Sequence, residues 1–261
     1  MKYKVLSLAL ALVLASTALS ACAPAVSRET LTQVSTIDAL MNGVYDGMTT
    51  VGELKKYGDF GIGTFAGLDG EMILLDGVYY QVKADGIAYT VKDSVGTPFA
   101  AVTFFDSDVE AQLDRDASYL QVQEYLDSIL PTDNIFYAIR ISGTFSIMQT
   151  RSVPAQQKPY LPLAEVIRNQ TVFELKNIEG TIVGFRCPSY VNGINVPGYH
   201  LHFLSADNKA GGHVLDFKVI QATALVDNAS EFNLILPGPD SDFYQLDLTP
   251  DISDDLDKVE K

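Results

Sequence analysis

Residues 61–92 read GIGTFAGLDGEMILLDGVYYQVKADGIAYTVK, with Asp-Gly pairs starting at Asp69, Asp76 and Asp85 between apolar and aromatic runs. Asp and Gly tolerate the positive φ angles of tight hairpin turns, so this spacing predicts an antiparallel meander. FAAVTFF (99–105), NIFYAIRISGTFSIMQTRSV, VFELKNIEGTIVGFRC, YHLHFLS, GGHVLDFKVI and FNLILP extend the pattern, all rich in β-branched and aromatic residues. Helical spacing is confined to short stretches. One is STIDALMNGVYDG, with Ile37, Leu40, Met41 and Val44 behind a Ser35 or Thr36 cap, and another is TTVGELKKYGD, ended by Gly58. A third lies around 118–130, where Val122, Tyr125, Leu126 and Ile129 share a face and Pro131 ends the helix, and a fourth starts at Pro162-Leu163. The fold class expected is α+β: two packed β-rich layers or domains, mainly antiparallel, with a few short helices.

The expected organisation is a signal segment over 1–21, a tether over 22–33, an N-terminal sheet domain with helices over 34–155, and a C-terminal β-rich domain over 156–250. Residues 251–261, DISDDLDKVEK, have the composition of a solvated acidic tail, one that the family resemblance given below lets fold back on the active site. Lys2 and Lys4 precede the uncharged run VLSLALALVLASTAL, which is too short to span a bilayer and reads as an export signal. Leu19-Ser20-Ala21-Cys22 resembles a bacterial lipobox, which makes Cys22 a candidate lipid anchor; cleavage after Ala23 would instead release the chain. The expected location is therefore outside the cell or on the membrane as a lipoprotein. Cys187 is the only other cysteine, so a disulfide scaffold is excluded. Net charge is −15, and loss of the two lysines in residues 1–21 takes it to −17, which argues against nucleic acid.

All three histidines fall within YHLHFLSADNKAGGH, residues 199–213. In a strand, side chains at i and i+2 share a face, so His200 and His202 project together while Tyr199, Leu201 and Phe203 face away. Ser205, Asp207, Asn208, Gly211 and Gly212 then offer turn chemistry, and a hairpin whose paired residue numbers sum to about 415 sets His213 opposite His202. Three neutral imidazoles on such a hairpin suit zinc with positions left open, although manganese, iron, nickel or copper accept the same ligands. A cupin also carries H-x-H on a strand, but its glutamate a few residues on is missing from Phe203-Leu204-Ser205-Ala206-Asp207.

Taken singly, the other polar candidates have ordinary structural readings. Glu71 flanks a hairpin turn, Arg151 ends a long apolar strand, Thr64 is a β-former and Glu260 belongs to the tail. A Ser/His/Asp arrangement would have to take a histidine from the metal set, there is no P-loop, and GIGTFAG does not lead from a strand into a helix. Metal chemistry is the option that survives.

Four stretches, GTFAGLDGEMILLDGVYYQV, FYAIRISGTF, TRSVPAQQKPYLPLAEV and NVPGYHLHFLSADNKAGGHVLDF, resemble the α-acetolactate decarboxylase family from Ser35 through Leu248. The resemblance implies a zinc enzyme that decarboxylates 2-acetolactate to acetoin and carbon dioxide through a metal-stabilised enediolate. It implies zinc on His200, His202 and His213, active-site roles for Glu71 and Arg151, a nearby polar contact at Thr64, and a C-terminal glutamate reaching the metal, matched here by Glu260. A homodimer is implied as well. Two other function classes fit the hairpin: a cupin-like metal-dependent oxygenase and a catalytically inactive metal-dependent binding protein.

Overall fold

A computed structural model describes residues 27–260. The expected signal segment and Cys22 lie outside the described residues. In chain order the first strands are β1 (Thr30–Val34), β2 (Thr49–Thr50), β3 (Phe60–Thr64), β4 (Glu71–Leu75), β5 (Val78–Val82), β6 (Ala88–Thr90), β7 (Gly96–Thr97) and β8 (Ala100–Thr103). They are followed by β9 (Val109–Leu113), β10 (Phe136–Ser152), β11 (Thr171–Cys187), β12 (Gly198–Ser205), β13 (Gly211–Ala229) and β14 (Glu231–Ile235). The helices are α1 (Ile37–Met41), α2 (Val51–Leu54), α3 (Tyr119–Ile129), α4 (Leu163–Val166) and α5 (Ser253–Glu260).

One sheet has the order β14-β1-β8-β3-β4-β5-β6, antiparallel except for the β1–β14 pair. Its meander turns as the Asp-Gly spacing requires. Asp76 and Gly77, at φ 50° and 77°, form the two-residue link between Leu75 and its partner Val78, the conformation a type I′ turn needs. In the second sheet β10 pairs with both β11 and β13, β11 with β12, and β12 with β13, so four strands close on themselves and β9 adds to β13. β2 and β7 form a small separate pair.

Alternation along these strands sorts their side chains into two cores. Tyr137, Ile139, Ile141, Phe145, Leu201, Phe203 and Phe217 join Val122 and Leu126 of α3 in one cluster, where Phe145 meets Phe203 and Phe217 edge-on at 5.8 and 5.6 Å. Ala138, Val183, Phe185 and Leu204, from the opposite face, pack against Ile62, Ile73, Val82 and Ala101 of the first sheet. A fully buried side chain of this size contributes roughly 1.5–3 kcal/mol; the first cluster packs α3 onto the second sheet, and the second joins the two sheets. The α3 face is narrower than its spacing suggests: Val122 and Leu126 are buried, while Tyr125 is 42% exposed.

Three features differ from the sequence expectation. Residues 30–33, expected in a tether, belong to β1, which is buried throughout between β14 and β8 because pairing on both edges satisfies its backbone. The expected boundary at 155 does not coincide with a boundary between sheets. β9 and β10, from before it, lie in the second sheet, and β14, from after it, completes the first. Residues 253–260, expected in a solvated tail, are helical. Ile252, Leu256 and Val259 recur at i, i+4 and i+7 and pack into the cluster of Ile37, Leu40, Leu163 and Val166.

Candidate metal centre

β12 and β13 pair so that His202 stands opposite His213, the register expected for the hairpin. The loop between them is tied by Ser205, whose hydroxyl accepts from the Lys209 and Ala210 amides at 3.2 and 2.9 Å. Next along β13, Gly212 sits at φ +135°, and a Cβ there would lie 2.5 Å from the Arg151 carbonyl. Only glycine lets β13 approach β10 so closely, and that approach sets His213 opposite Arg151 in the β10–β13 register.

The three imidazole rings are buried, with centroids 5.1–5.4 Å apart. One ligand nitrogen from each lies within 4.8 Å of the others, an arrangement that can hold a metal ion. His202 Nδ1 lies 2.8 Å from the Met72 carbonyl on β4. A carbonyl oxygen can only accept, so that nitrogen carries the proton and Nε2 keeps the free lone pair. Burial holds all three rings neutral: it pushes His200 down to about 3, assisted by the Arg151 charge, and pushes His202 and His213 well below the usual histidine range. Neutral imidazole is the form a metal requires.

The remaining groups arrive from four other elements. Glu71 begins β4, Arg151 lies near the end of β10, Thr64 ends β3 opposite Glu71, and Glu260 ends α5. Arg151 Nη1 donates to Glu71 Oε1 at 3.1 Å, and its Nη2 donates to the Val259 carbonyl at 3.2 Å and lies 3.7 Å from Glu260 Oε1. Glu71 Oε2 is 3.7 Å from His202 Nε2, and Glu260 Oε2 is 3.3 Å from His200 Nε2 and 3.9 Å from His213 Nδ1. Burial pushes the Glu71 carboxyl up to about 7; the Arg151 charge opposes the shift and Glu260 adds to it. Glu260 is raised by burial, against the same Arg151 charge. The Thr64 hydroxyl donates to the Gly70 carbonyl at 2.8 Å, bracing the turn that presents Glu71.

Every candidate active-site residue named from the sequence lines one small cavity, and its other wall is apolar, built from Ile37, Leu40, Phe99, Val153 and Leu163. That wall has no signature beyond hydrophobicity, and the Met72 and Val259 carbonyls, being main-chain atoms, have none at all. α5 did carry a signal, in the spacing of Ile252, Leu256 and Val259. Among the described residues, eight buried side-chain polar atoms lack a hydrogen-bond partner, and five belong here: Arg151 Nε, His202 Nε2, both His213 nitrogens and Glu260 Oε2. Orphaned buried groups cost about 1–3 kcal/mol each, so their concentration at one point marks a place built for something to bind.

The family described as alpha-acetolactate decarboxylase matches residues 31–250. The alpha-acetolactate decarboxylase of Methanosarcina mazei is 52% identical over 233 residues, covering 89% of this chain and 81% of its own. The one from Bacillus subtilis strain 168 is 44% identical over 229 residues, 87% of this chain and 89% of its own. A crystal structure of alpha-acetolactate decarboxylase from that strain superposes with a TM-score of 0.86 at 43% identity, covering 88% of this chain and 99% of that one.

Proposed function

This chain belongs to the α-acetolactate decarboxylase family and is an acetolactate decarboxylase, and we propose that zinc held by His200, His202 and His213 serves its reaction. The observation that carries the metal assignment is the convergence of three neutral, buried imidazoles, two of which, His202 and His213, have orphaned nitrogens. Nitrogen ligands with carboxylates beside them fit zinc. When bound, zinc supplies positive charge against which the electron pair left by departing carbon dioxide is stabilised.

The chain's own residues account for the rest. Arg151 is buried among carboxylates with its Nε unpaired, which suits a guanidinium that anchors the substrate carboxylate. Glu71, lifted by burial into the range where a carboxyl holds a proton near neutral pH, donates that proton to the carbon that has lost carbon dioxide. One carbon–carbon bond breaks, one carbon–hydrogen bond forms, and Glu71 regains its proton from solvent. Glu260, beside His200 and His213, holds negative charge near the metal, and the Thr64 brace keeps Glu71 in line. The apolar wall takes the substrate's methyl groups and keeps bulk water from the developing charge.

Purified protein given 2-acetolactate should release acetoin, lose that activity after chelation and regain it with zinc, with about one zinc per chain by metal analysis. Acetoin release undiminished by complete metal removal would overturn the metal role. Segment 1–21 and Cys22 support export with lipidation, and the family resemblance supports a homodimer. The intact mass of the mature N-terminus and sedimentation of the purified protein test these two points.

A further inference from the structure

Thr150 and Ser152 flank Arg151 on β10, and neither exposes any surface. Strand alternation turns them away from the metal centre: Arg151 and Val153 line the cavity, whereas Thr150 and Ser152 do not. Each hydroxyl is committed to a main-chain carbonyl on another strand. Thr150 Oγ1 donates to the Gly211 carbonyl at 2.9 Å, and Ser152 Oγ donates to the Val82 carbonyl at 2.8 Å. Gly211 opens β13 two residues before His213, and Val82 stands opposite Glu71 across the β4–β5 pair. The two anchors are neighbours, since a Cβ on Gly211 would lie 3.1 Å from Val82 Cγ2.

Both bonds fall where the frame around Arg151 is weakest. Between Gln149 and Thr150 the pairing of β10 with β13 shifts by one residue, from Gln149–Asp216 to Thr150–Val214, and Leu215 is left over. That bulge sets His213, in place of Val214, opposite Arg151. Arg151–His213 is also the last pair of the β10–β13 ladder, and Gly211 and Gly212 beyond it have no side chains to seat them. The Thr150 hydroxyl supplies the missing tie. On the other side, Arg151 and Glu71 come from different sheets and meet in an ion pair with which a substrate carboxylate must compete. The Ser152–Val82 bond joins the same two sheets without using the guanidinium. Arg151 can then release Glu71 for substrate while its own backbone stays in place.

We propose that Thr150 and Ser152 are positioning residues for the decarboxylation, their hydroxyls fixing Arg151 against His213 on one side and against the strand beside Glu71 on the other. The proposal rests on the decarboxylase reading for the substrate that Arg151 receives. The two hydroxyls divide the work. Thr150 steadies the approach to a metal ligand, and Ser152 steadies the anchor for the substrate carboxylate.

Thr150→Val and Ser152→Ala in the full chain each remove one hydroxyl with little change in volume. Thr103→Val on β8 is the control, because its buried hydroxyl also donates to a main-chain carbonyl, that of Thr30 at 3.1 Å, but lies outside the cavity. All three variants should lower Tm by several degrees. Thr150→Val should weaken zinc affinity about tenfold, read by competition with a chromophoric chelator, and Thr150→Ser, which keeps the hydroxyl, should restore it. Ser152→Ala should keep the parent zinc affinity and raise KM for acetolactate about fivefold to tenfold, with kcat within about twofold of the parent. Thr103→Val should keep zinc affinity and KM at parent values. Parent zinc affinity in Thr150→Val together with parent KM in Ser152→Ala would make both hydroxyls structural and overturn the proposal. Equal losses in Thr103→Val would overturn it as well. Zinc affinity needs no turnover, so failure of the decarboxylase reading would show separately, as absence of acetoin from zinc-loaded parent protein.

Discussion

Asp227 and Glu71 are both buried carboxyls that burial pushes up to about 7, yet only one of them sits in a site. Asp227, on β13, accepts the Asp106 amide at 3.0 Å, and the charges around it are of its own sign: Asp108, Glu29 and Asp106. Arg28 approaches this group only at Asp106, 4.0 Å away and largely exposed. Glu71 instead has the Arg151 guanidinium at 3.1 Å and an imidazole nitrogen at 3.7 Å, beside a set of polar atoms with no partner. A raised carboxyl pKa is thus a mark of burial, and it becomes a mark of chemistry only where a fixed cation and unsatisfied donors converge on the same point.

The difference breaks most easily at the histidines. His213→Ala should abolish metal binding and take acetoin formation down by at least about a thousandfold, measured by metal analysis and turnover, while Asp227→Asn leaves both untouched. Retained zinc with normal turnover would mean the three imidazoles are structural, like Asp227. Glu71→Gln comes next: it keeps the Arg151 contact and the metal but has no proton to give, so turnover should fall about 10²- to 10⁴-fold with zinc content unchanged. Arg151→Lys keeps the charge among Glu71 and Glu260 but loses the planar fork. We expect a drop of roughly tenfold to a hundredfold in kcat/KM, carried mainly by KM, with a smaller effect on zinc affinity.

Those side chains were legible in the sequence to different degrees. The histidines announced themselves because strand periodicity and hairpin turn chemistry are local, and the register that opposes His202 to His213 follows from them. The Asp76-Gly77 turn was legible for the same reason. Glu71, Arg151 and Thr64 were not distinctive by any local rule, because what makes them a site is the meeting of β3 and β4 from one sheet with β10 from the other. They were found through the motifs around them. The pairing of β1 with β14, some two hundred residues apart, has no local sign either, and composition misled at both ends of the described chain. Residues 30–33 look polar enough for a tether but satisfy their backbone in a sheet, and 253–260 are acidic overall while carrying one apolar stripe. Asp227 left no trace in the sequence, being one acid among many.

Asp227 gives the smallest of the expected effects and the clearest contrast in sign. Its pKa is about 7 in the folded protein, against roughly 3.9 in an unfolded chain. Between those values the folded state binds the additional proton, so stability falls as pH rises from about 4 to 7 and the full penalty is present above that range. Asp227→Asn removes the ionisation while its amide oxygen still accepts from Asp106; the full shift corresponds to about 4 kcal/mol, and solvent screening reduces it by about half, so the variant should gain about 2 kcal/mol at pH 8, roughly 4–8 °C in Tm, and close to nothing at pH 4. Thermal melts of both proteins across that range decide the matter. Parallel curves would mean that Asp227 titrates as an ordinary carboxyl, relieved by Arg28 or by solvent. A converging pair, with acetoin production equal in both proteins, would show the same burial doing opposite things in one molecule: a liability at Asp227 that a neutral amide cures, and at Glu71 the source of a proton that a neutral amide cannot supply.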